Sequence, residues 1–329
     1  SISGMPWSVC STLPSCTLQW RPSVIQSLSP RSTAPYQTLA PSAMRTRPMT
    51  LALSATQALS AIGSSAYGWP SDGRVKKGSV PSPAFEAAFL RKFFELAERK
   101  NYDYYVMEAY DQPWKRVSEG AVGGFWGLYD ADREDKSILA GPVSNLPHWP
   151  RWLLLSGALF ALTLALAGRP TTVRSAWQTP ALAALAAASI GVWSELAWVT
   201  SRFVGEWAWA AALLSLNLIV LAHSSLALQT QQGWRQRLFD WLHARAGWWL
   251  LAAGFAGAVM MLALVVDARY RSFPSAALLL PALVYALRPV NAARRETALL
   301  ALLIGAGIPL QLYVETLENL QALGWALVS

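Results

Sequence analysis

Two rhythms of hydrophobic and polar positions run along this chain, and the change between them falls near Trp152. In PSPAFEAAFLRKFFELAERK, residues 81–100, Phe85, Phe89, Phe93 and Leu96 recur at helical spacing while Arg91, Lys92, Glu95 and Arg99 form the opposite face. Ser82 stands where an N-cap belongs and Pro83 in the first turn, so the pattern predicts an amphipathic helix. YDYYVMEAY, residues 102–110, is aromatic and bounded by Asn101 and Asp-Gln-Pro, which predicts a buried strand. A helix between two strand–turn elements is a β/α unit of a parallel sheet. GAVGGFWGLYDADR then reads as a glycine-rich loop carrying aromatics.

Beyond Trp152 the apolar runs lengthen. Six spans are expected, at 151–168, 181–200, 204–227, 247–266, 272–287 and 297–314, each near the length that crosses hydrocarbon. The fifth is short and contains Pro274 and Pro281. Trp149, Trp152, Trp207, Trp209, Trp248 and Trp249 sit at span ends, where interfacial anchors belong. With the chain before Trp152 placed outside the cytoplasm, the inner loops carry Arg169, Arg174, Arg235, Arg237, Arg245, Arg288, Arg294 and Arg295. The outer loops then carry Arg202, Arg269 and Arg271, with Glu206, Asp267, Glu315 and Glu318 on or near that side. The positive-inside rule therefore puts the β/α part outside. RQRLFDWLHARAG, residues 235–247, is basic and amphipathic; it suits either the inner membrane surface or an ordinary cytoplasmic loop.

Composition agrees. Hydrophobic residues make up 53% of the chain and charged residues 14%, well below the usual quarter of a soluble domain. The net charge of +8 comes mostly from arginines in short loops, so it does not mark a nucleic-acid surface. Cys10 and Cys16 have no histidine nearby and no second pair, which argues against zinc and leaves a local disulfide open. Residues 1–71 contain no Asp, Glu or Lys but many Ser, Pro, Thr and Arg. A transit peptide is argued against by the prolines and the lack of a clear amphipathic helix. Disorder, and a stretch outside the natural reading frame, are the other readings.

Three stretches look like parts of one site: GWPSDGR at 68–74, EAYDQPWK at 108–115 and EGAVGGFWGLYD at 119–130. They offer Trp69, Trp114, Trp126 and Tyr129 as flat apolar faces, with Glu108, Asp111, Gln112, Lys115 and Glu119 as hydrogen-bonding groups. Flat aromatics beside carboxylates and amides suit sugars, and an aromatic core with a solvated rim would have the same composition. In the apolar spans, Glu195, Asn217 and His223 suit either a transport path or helix-to-helix and headgroup contacts. His148 and His243 suggest no metal, Gly305, Gly307 and Pro309 bend or pack the last span, and no P-loop, dinucleotide fingerprint or Cys/His cluster is present.

GWPSDGR, the helix with FLRKFF, YYVMEAYDQPWK, EGAVGGFWGLYDADR and KSILAGPV, in this order, resemble the C-terminal part of bacterial family 17 glycoside hydrolases over about 66–143. That family acts on β-1,3-glucans, and some membrane-anchored members are known as β-(1→6) glucan synthases or transglycosylases; the polytopic tail resembles that subgroup. SISGMPWSVC at 1–10 resembles the remnant of an earlier strand ending in Pro-Trp. The resemblance implies a partial (β/α)8 TIM barrel, C-terminal strands only, followed by an all-α polytopic membrane domain of about six transmembrane helices. The expected organisation is an irregular segment at 1–65, the last β/α units of the barrel at 66–145 and the transmembrane domain at 151–329. Strands one to four are then missing, and a half barrel has open edges, so the N-terminal region is expected to fold poorly unless a partner completes it.

The resemblance also implies a retaining mechanism using two carboxylates. The nucleophilic Glu is expected two residues before the Gly of Gly-Trp-Pro-Ser, where Ala66 stands, and no acidic residue up to Ser71 fills the acid/base role. Lys115 and Gln112 correspond to the polar pair after the eighth strand, with Gln112 where a Glu is common, while Glu108 and Asp111 orient them or contact sugar hydroxyls. The substrate-binding set is thus Trp69, Glu108, Asp111, Gln112, Trp114, Lys115, Glu119, Trp126 and Tyr129, with no metal and no cofactor. The function expected is a membrane-anchored β-1,3-glucan hydrolase or transglycosylase, inactive as this chain, in the bacterial inner membrane with its barrel part periplasmic. Its partners are a β-glucan and the lipid bilayer, not nucleic acid. A non-catalytic glucan-binding or scaffold protein beside a glucan synthase is the alternative, and a glucan pore the third reading.

Overall fold

The structure, a computed structural model, describes residues 18–19, 66–76 and 78–329. The readings made of 1–65, including Cys10, Cys16 and SISGMPWSVC, lie outside the described residues apart from Leu18–Gln19. The chain divides into two compact units, Ser1–Gly73 with Gly78–Asn145 and Arg74–Lys77 with Leu146–Ser329.

In the first unit, β1 (Leu18–Gln19) and β2 (Ala66–Tyr67) both pair with β3 (Tyr105–Val106), β1 antiparallel and β2 parallel. β2 reaches β3 through helix α1 (Pro83–Lys100), which makes a β–α–β unit. The Ser82 hydroxyl accepts a bond from Phe85 N–H at 3.1 Å, and Asn101, at φ 53°, closes the helix in the left-handed region. The strand expected at 102–110 is two short ones. Met107 N–H still bonds Tyr67 C=O at 3.0 Å, after which β4 (Glu108–Tyr110) takes a new parallel partner, β5 (Gly127–Tyr129). Among the described residues no closed barrel forms, and the antiparallel β1 departs from the all-parallel order that a (β/α)8 barrel requires.

The buried stripe of α1 is Glu86, Ala87, Leu90, Phe93 and Ala97, one position on from the face marked by the phenylalanines. Phe85 is exposed, and Phe89 sits beside Trp69 with ring centroids 5.8 Å apart. The shift follows from an ionisable residue on the core side of the helix: Glu86 is admitted because a lysine meets it there. Ala87, Leu90, Val106, Leu128 and Ile138 form the core of this unit. Arg91 pins 137–141 to α1 by donating to the carbonyls of Ile138, Ser137 and Gly141 at 2.7–2.8 Å.

The glycine-rich loop has a steric reason. A Cβ at Gly127 would collide with the backbone of Tyr110 and Asp111, so only glycine lets β5 lie this close to the end of β4. Gly73 combines φ +118° with a neighbouring Ala121 carbonyl oxygen 2.6 Å from where a Cβ would sit. A four-residue helix, α2 (Arg116–Glu119), lies between β4 and β5.

The second unit is helical: α3 (Trp149–Ala167), α4 (Val173–Thr200), α5 (Val204–Leu226), α6 (Trp234–His243), α7 (Ala246–Val266), α8 (Ser275–Leu287), α9 (Arg294–Glu315) and α10 (Leu320–Val328). α3, α4, α5, α7 and α9 are long and apolar enough to cross a membrane, and much of their apolar surface, including Leu154, Val204, Leu302 and Leu310, faces outward. These are the marks of a multi-pass membrane protein. α8, at 13 residues, is about 20 Å long by helix rise and short of the hydrocarbon thickness. α4 starts earlier than the 181 expected after Pro180, because Thr172 and Ser175 form a reciprocal cap and Pro180 is accommodated within the helix. α10 was not expected; the Asn319 side chain caps it by accepting from Gln321 and Ala322 N–H, and Trp325 anchors it fully buried.

Several polar groups in this unit have protein partners. Asn217 on α5 donates to Leu213 C=O at 2.8 Å and across to Ala277 C=O on α8 at 2.7 Å. Glu195 accepts from the Trp152 indole and lies 3.2 Å from His148 Nδ1. Arg74 pairs with Glu315, donates to Arg271 C=O at 3.2 Å and lies over the Phe273 ring. Asn319 then ties Glu315 to the Val75 carbonyl through bonds of 2.7 and 2.9 Å.

α7 and α9 run parallel, with Gly254 against Leu300, Gly257 against Ile304 and Gly307 on the Met261 side chain. Without a hydrophobic force between helices in lipid, such close backbone approach supplies much of the packing energy. A side chain at Gly307 would overlap Met261 near its base. Gly307→Leu should therefore lower stability by about 1–3 kcal/mol, read as a fall in the thermal unfolding midpoint of the purified chain in detergent. Gly305→Leu, where a Cβ meets nothing within 4 Å, should change it much less.

Candidate functional site

The end of β4 and the turn after it carry most of the side chains the sequence marks, but the fold sorts them into two sets. In the first, Glu108 is buried and ion-paired with Lys115, which the turn Pro113–Lys115 brings back towards the strand. That turn is fixed by Gln112 N–H donating to Gly124 C=O at 2.8 Å and by Lys115 N–H donating to Gln112 C=O at 2.9 Å. Burial pushes the Glu108 carboxyl up from its ordinary value, Lys115 pulls it down, and Glu119 adds a smaller upward push. The Gln112 amide is near enough to favour the charged form, yet Glu108 Oε2 has no directed hydrogen bond among the described residues. Trp114, inside the same turn, keeps 55% of its surface exposed.

In the second set Asp111 turns away from Glu108. Its Oδ1 accepts from Gly127 N–H at 2.8 Å, and Lys136 Nζ lies 3.1 and 3.2 Å from its two oxygens. The same ammonium donates to the Ser71 hydroxyl at 2.9 Å and lies 3.1 Å from Glu86 Oε2. The contact with Glu86 is Coulombic and poorly directed, since neither carboxyl oxygen has a hydrogen bond of good geometry. Burial pushes the Glu86 carboxyl up to about 8 and that of Asp111 to about 6, Lys136 opposing both. At neutral pH Glu86 therefore keeps its proton while Asp111 and Lys136 carry opposite charges, so the buried set is neutral. Its members come from α1, the β4 end, the 68–73 turn and the segment after β5, which makes it a structural lock.

The aromatics are sorted as well. The Trp69 indole N–H donates to Val80 C=O at 3.1 Å and its ring lies between Phe85 and Phe89. Trp126 lies against Gly68, where an added Cβ would be 3.0 Å from its ring. Tyr129 packs on Tyr110, with ring centroids 5.5 Å apart, and on the core of the unit. Of the four aromatics expected to face a sugar, Trp114 is the exposed one. Ala66 lies in β2, in register with Tyr105 of β3.

Glu86 and Lys136 were missed as partners of this region. Glu86 carries a signal in hindsight, because it shares a helix face with Leu90, Phe93 and Ala97; Lys136 carries none in its local sequence. Glu108 and Asp111, each held by a different lysine, do not form a carboxylate pair around one scissile bond of the kind a retaining glycosidase uses. What the first set offers towards solvent is the partly exposed Lys115 ammonium beside a flat exposed indole, with the Glu108 carboxylate buried behind it. No known family model, curated protein or solved structure matches the chain.

The lock makes stability depend on pH with a definite sign. Unfolded, the Glu86 carboxyl loses its proton near 4.5; folded, it holds it to about 8. Between those values the folded state binds a proton the unfolded state has lost, so stability falls as pH rises, by up to about 1.4 kcal/mol per pH unit, and levels off above the window. Asp111 adds a slope of the same sign below about 6. Urea unfolding of the first unit, followed by hydrogen exchange across this window, should show the decline, and Glu86→Gln should flatten its upper part. Lys136→Met, which strands Asp111 without its cation, should lower stability by about 3–5 kcal/mol at neutral pH.

Proposed function

We propose that the first unit is a glucan-binding module related to family 17 glycoside hydrolases, carried on a multi-pass membrane protein and displayed on the periplasmic face of a bacterial inner membrane. The observation that carries this reading is the Glu108–Lys115 pair, whose partly exposed lysine directly follows the exposed Trp114 in the chain. A sugar ring stacks its C–H face on such an indole while its hydroxyls accept from a neighbouring ammonium. The order of GWPSDGR, EAYDQPWK and KSILAGPV, and the β–α–β unit that joins the first two, support the relationship to the last strands of a (β/α)8 barrel. The arginine-rich connections support the orientation, since they fall on alternate loops.

Hydrolysis by this chain is not part of the proposal. Position 66, where the resemblance expects the nucleophile, is alanine, whose methyl cannot form a glycosyl ester. Glu108 alone cannot serve as both nucleophile and acid/base. The parent activity, cleavage of β-1,3-glucan and transfer to water or another glucan, belongs to chains that hold both carboxylates. This one binds the polymer, with a glucan synthase as the partner that such binding would serve.

Calorimetric titration of the purified chain with laminarioligosaccharides tests this. Saturable binding is expected; Trp114→Ala should weaken it by about 1–3 kcal/mol, roughly 10- to 100-fold, and Glu108→Gln should weaken it less. Product analysis over the same range should show no turnover. Absence of binding with the fold intact would remove the glucan reading, and turnover abolished by Glu108→Gln would overturn the claim of inactivity.

A further inference from the structure

One end of the helical unit is charged far beyond what its own side chains neutralise. The segments 168–174, 227–246 and 288–296 join α3 to α4, α5 to α7 and α8 to α9, and they carry eight arginines against Asp240 and Glu296. Within this end, His223 of α5 and His243 of α6 face each other, Nε2 to Nδ1, at 3.3 Å, and both rings stack on Phe239. Arg288, at the C-terminus of α8, is within Coulombic reach of His223, and Arg174, in the first turn of α4, is within reach of Arg288. The neutral His223–His243 pair thus has Arg288 within electrostatic reach, and Arg288 in turn has Arg174. No carboxylate pairs with Arg174 or Arg288 among the described residues. Like charges gathered at the rim of a low-dielectric bundle repel unless an anion joins them.

Two features place this spot at the level of lipid headgroups. α6 is short and amphipathic, and Trp234 and Trp241 on it, with Trp248 at the start of α7, are exposed as interfacial anchors are. Arg235 and Arg245 lie over the rings of Trp234 and Trp241, at 5.2 and 4.5 Å, which holds their charge at the same depth.

We propose that Arg174, Arg288 and the His223–His243 pair form a binding site for the headgroup phosphate of an anionic phospholipid. Arg288 and Arg174 donate to the phosphate oxygens. In the tautomer where His223 Nε2–H donates to His243 Nδ1, the exposed His243 ring carries its own N–H on Nε2 and supplies a further donor. The acyl chains run beside the apolar helices, so the lipid supplies the missing charge without leaving the bilayer. This rests only on the membrane-spanning reading and is independent of the sugar site.

The test uses the whole delipidated chain in an uncharged detergent, titrated with dioctanoyl phosphatidylglycerol, dioctanoyl phosphatidylcholine or inorganic phosphate, with tryptophan fluorescence as the readout. A saturable change is expected with phosphatidylglycerol alone. Arg288→Gln and Arg174→Gln should each raise the half-saturation concentration roughly fivefold, and Arg288→Lys should largely retain binding. Arg202→Gln, at the opposite end of the helices, should leave it unchanged. Because the lysine variant keeps the charge, its binding separates loss of the site from loss of the fold. An equal response to phosphatidylcholine, an equal response to inorganic phosphate, or half-saturation unmoved in the Arg174→Gln/Arg288→Gln double variant would each overturn the proposal.

Discussion

The Lys136 ammonium is the interaction on which the first unit depends. It holds the Asp111 carboxylate, the Ser71 hydroxyl and the Glu86 carboxyl at once, in a place largely withdrawn from water. An isolated charge buried this way would be strongly unfavourable, and two carboxylates facing one lysine would leave a surplus negative charge. The raised Glu86 value resolves that, since a neutral carboxyl needs no second cation. With the charges balanced, helix, turn, strand end and the segment after β5 are fixed to one another by a group that tolerates little displacement.

That lock decides what is left for chemistry. Because Asp111 is committed to Lys136 and to the Gly127 N–H, Glu108 remains as the strand-end carboxylate of the other set, paired with Lys115. The 68–73 turn is committed too: Trp69 packs on α1, and Ser71 takes both the lysine and the Phe125 carbonyl. A stretch that looks like the rim of a binding site is therefore largely a joint. Glycine has the same role at the end of this turn and in the neighbouring loop, where Gly73 and Gly127 allow backbone contacts no side chain would permit.

Local signals were legible and distant pairings were not. Ser82, Pro83 and Asn101 mark the ends of α1 by chemistry that acts within a few residues, and the long apolar runs declare their helices because hydrocarbon demands both length and composition. The face of α1 was read one position off because Glu86 counts as polar until Lys136, 50 residues away in sequence, is known to meet it. The strand at 102–110 splits because its partner changes from β2 to β5, a fact of tertiary pairing. α10 escaped notice because its nine residues follow a break and owe their burial to Trp325 in the core beneath. Among the site residues, type and neighbourhood were readable for Glu108, Lys115 and Trp114, which are close in sequence. The division of Asp111 from Glu108 was not, since the lysine that causes it lies on another segment.

The polar residues inside the helical unit bear on the transport reading. A path for a glucan or an ion needs polar groups that face a passage and exchange partners. Asn217, Glu195 and Glu315 are each bound to protein, while Tyr285 Oη and Gln311 Nε2 are buried without a hydrogen-bond partner among the described residues. Asn217 donates within its own helix and to α8, Glu195 is held by Trp152 and His148, and Glu315 is held by Arg74 and Asn319. Each joins one helix to another element, which is what interhelical hydrogen bonds do in a bilayer. The basic end is different in kind: its arginines have no acidic partner among the described residues, so its neutralisation must come from a neighbour in the membrane or in the aqueous phase. Structural polar groups and an open electrostatic surface thus occupy separate parts of the same bundle. Asn217, Glu195 and Glu315 are thus accounted for by contacts between elements, without a conduit.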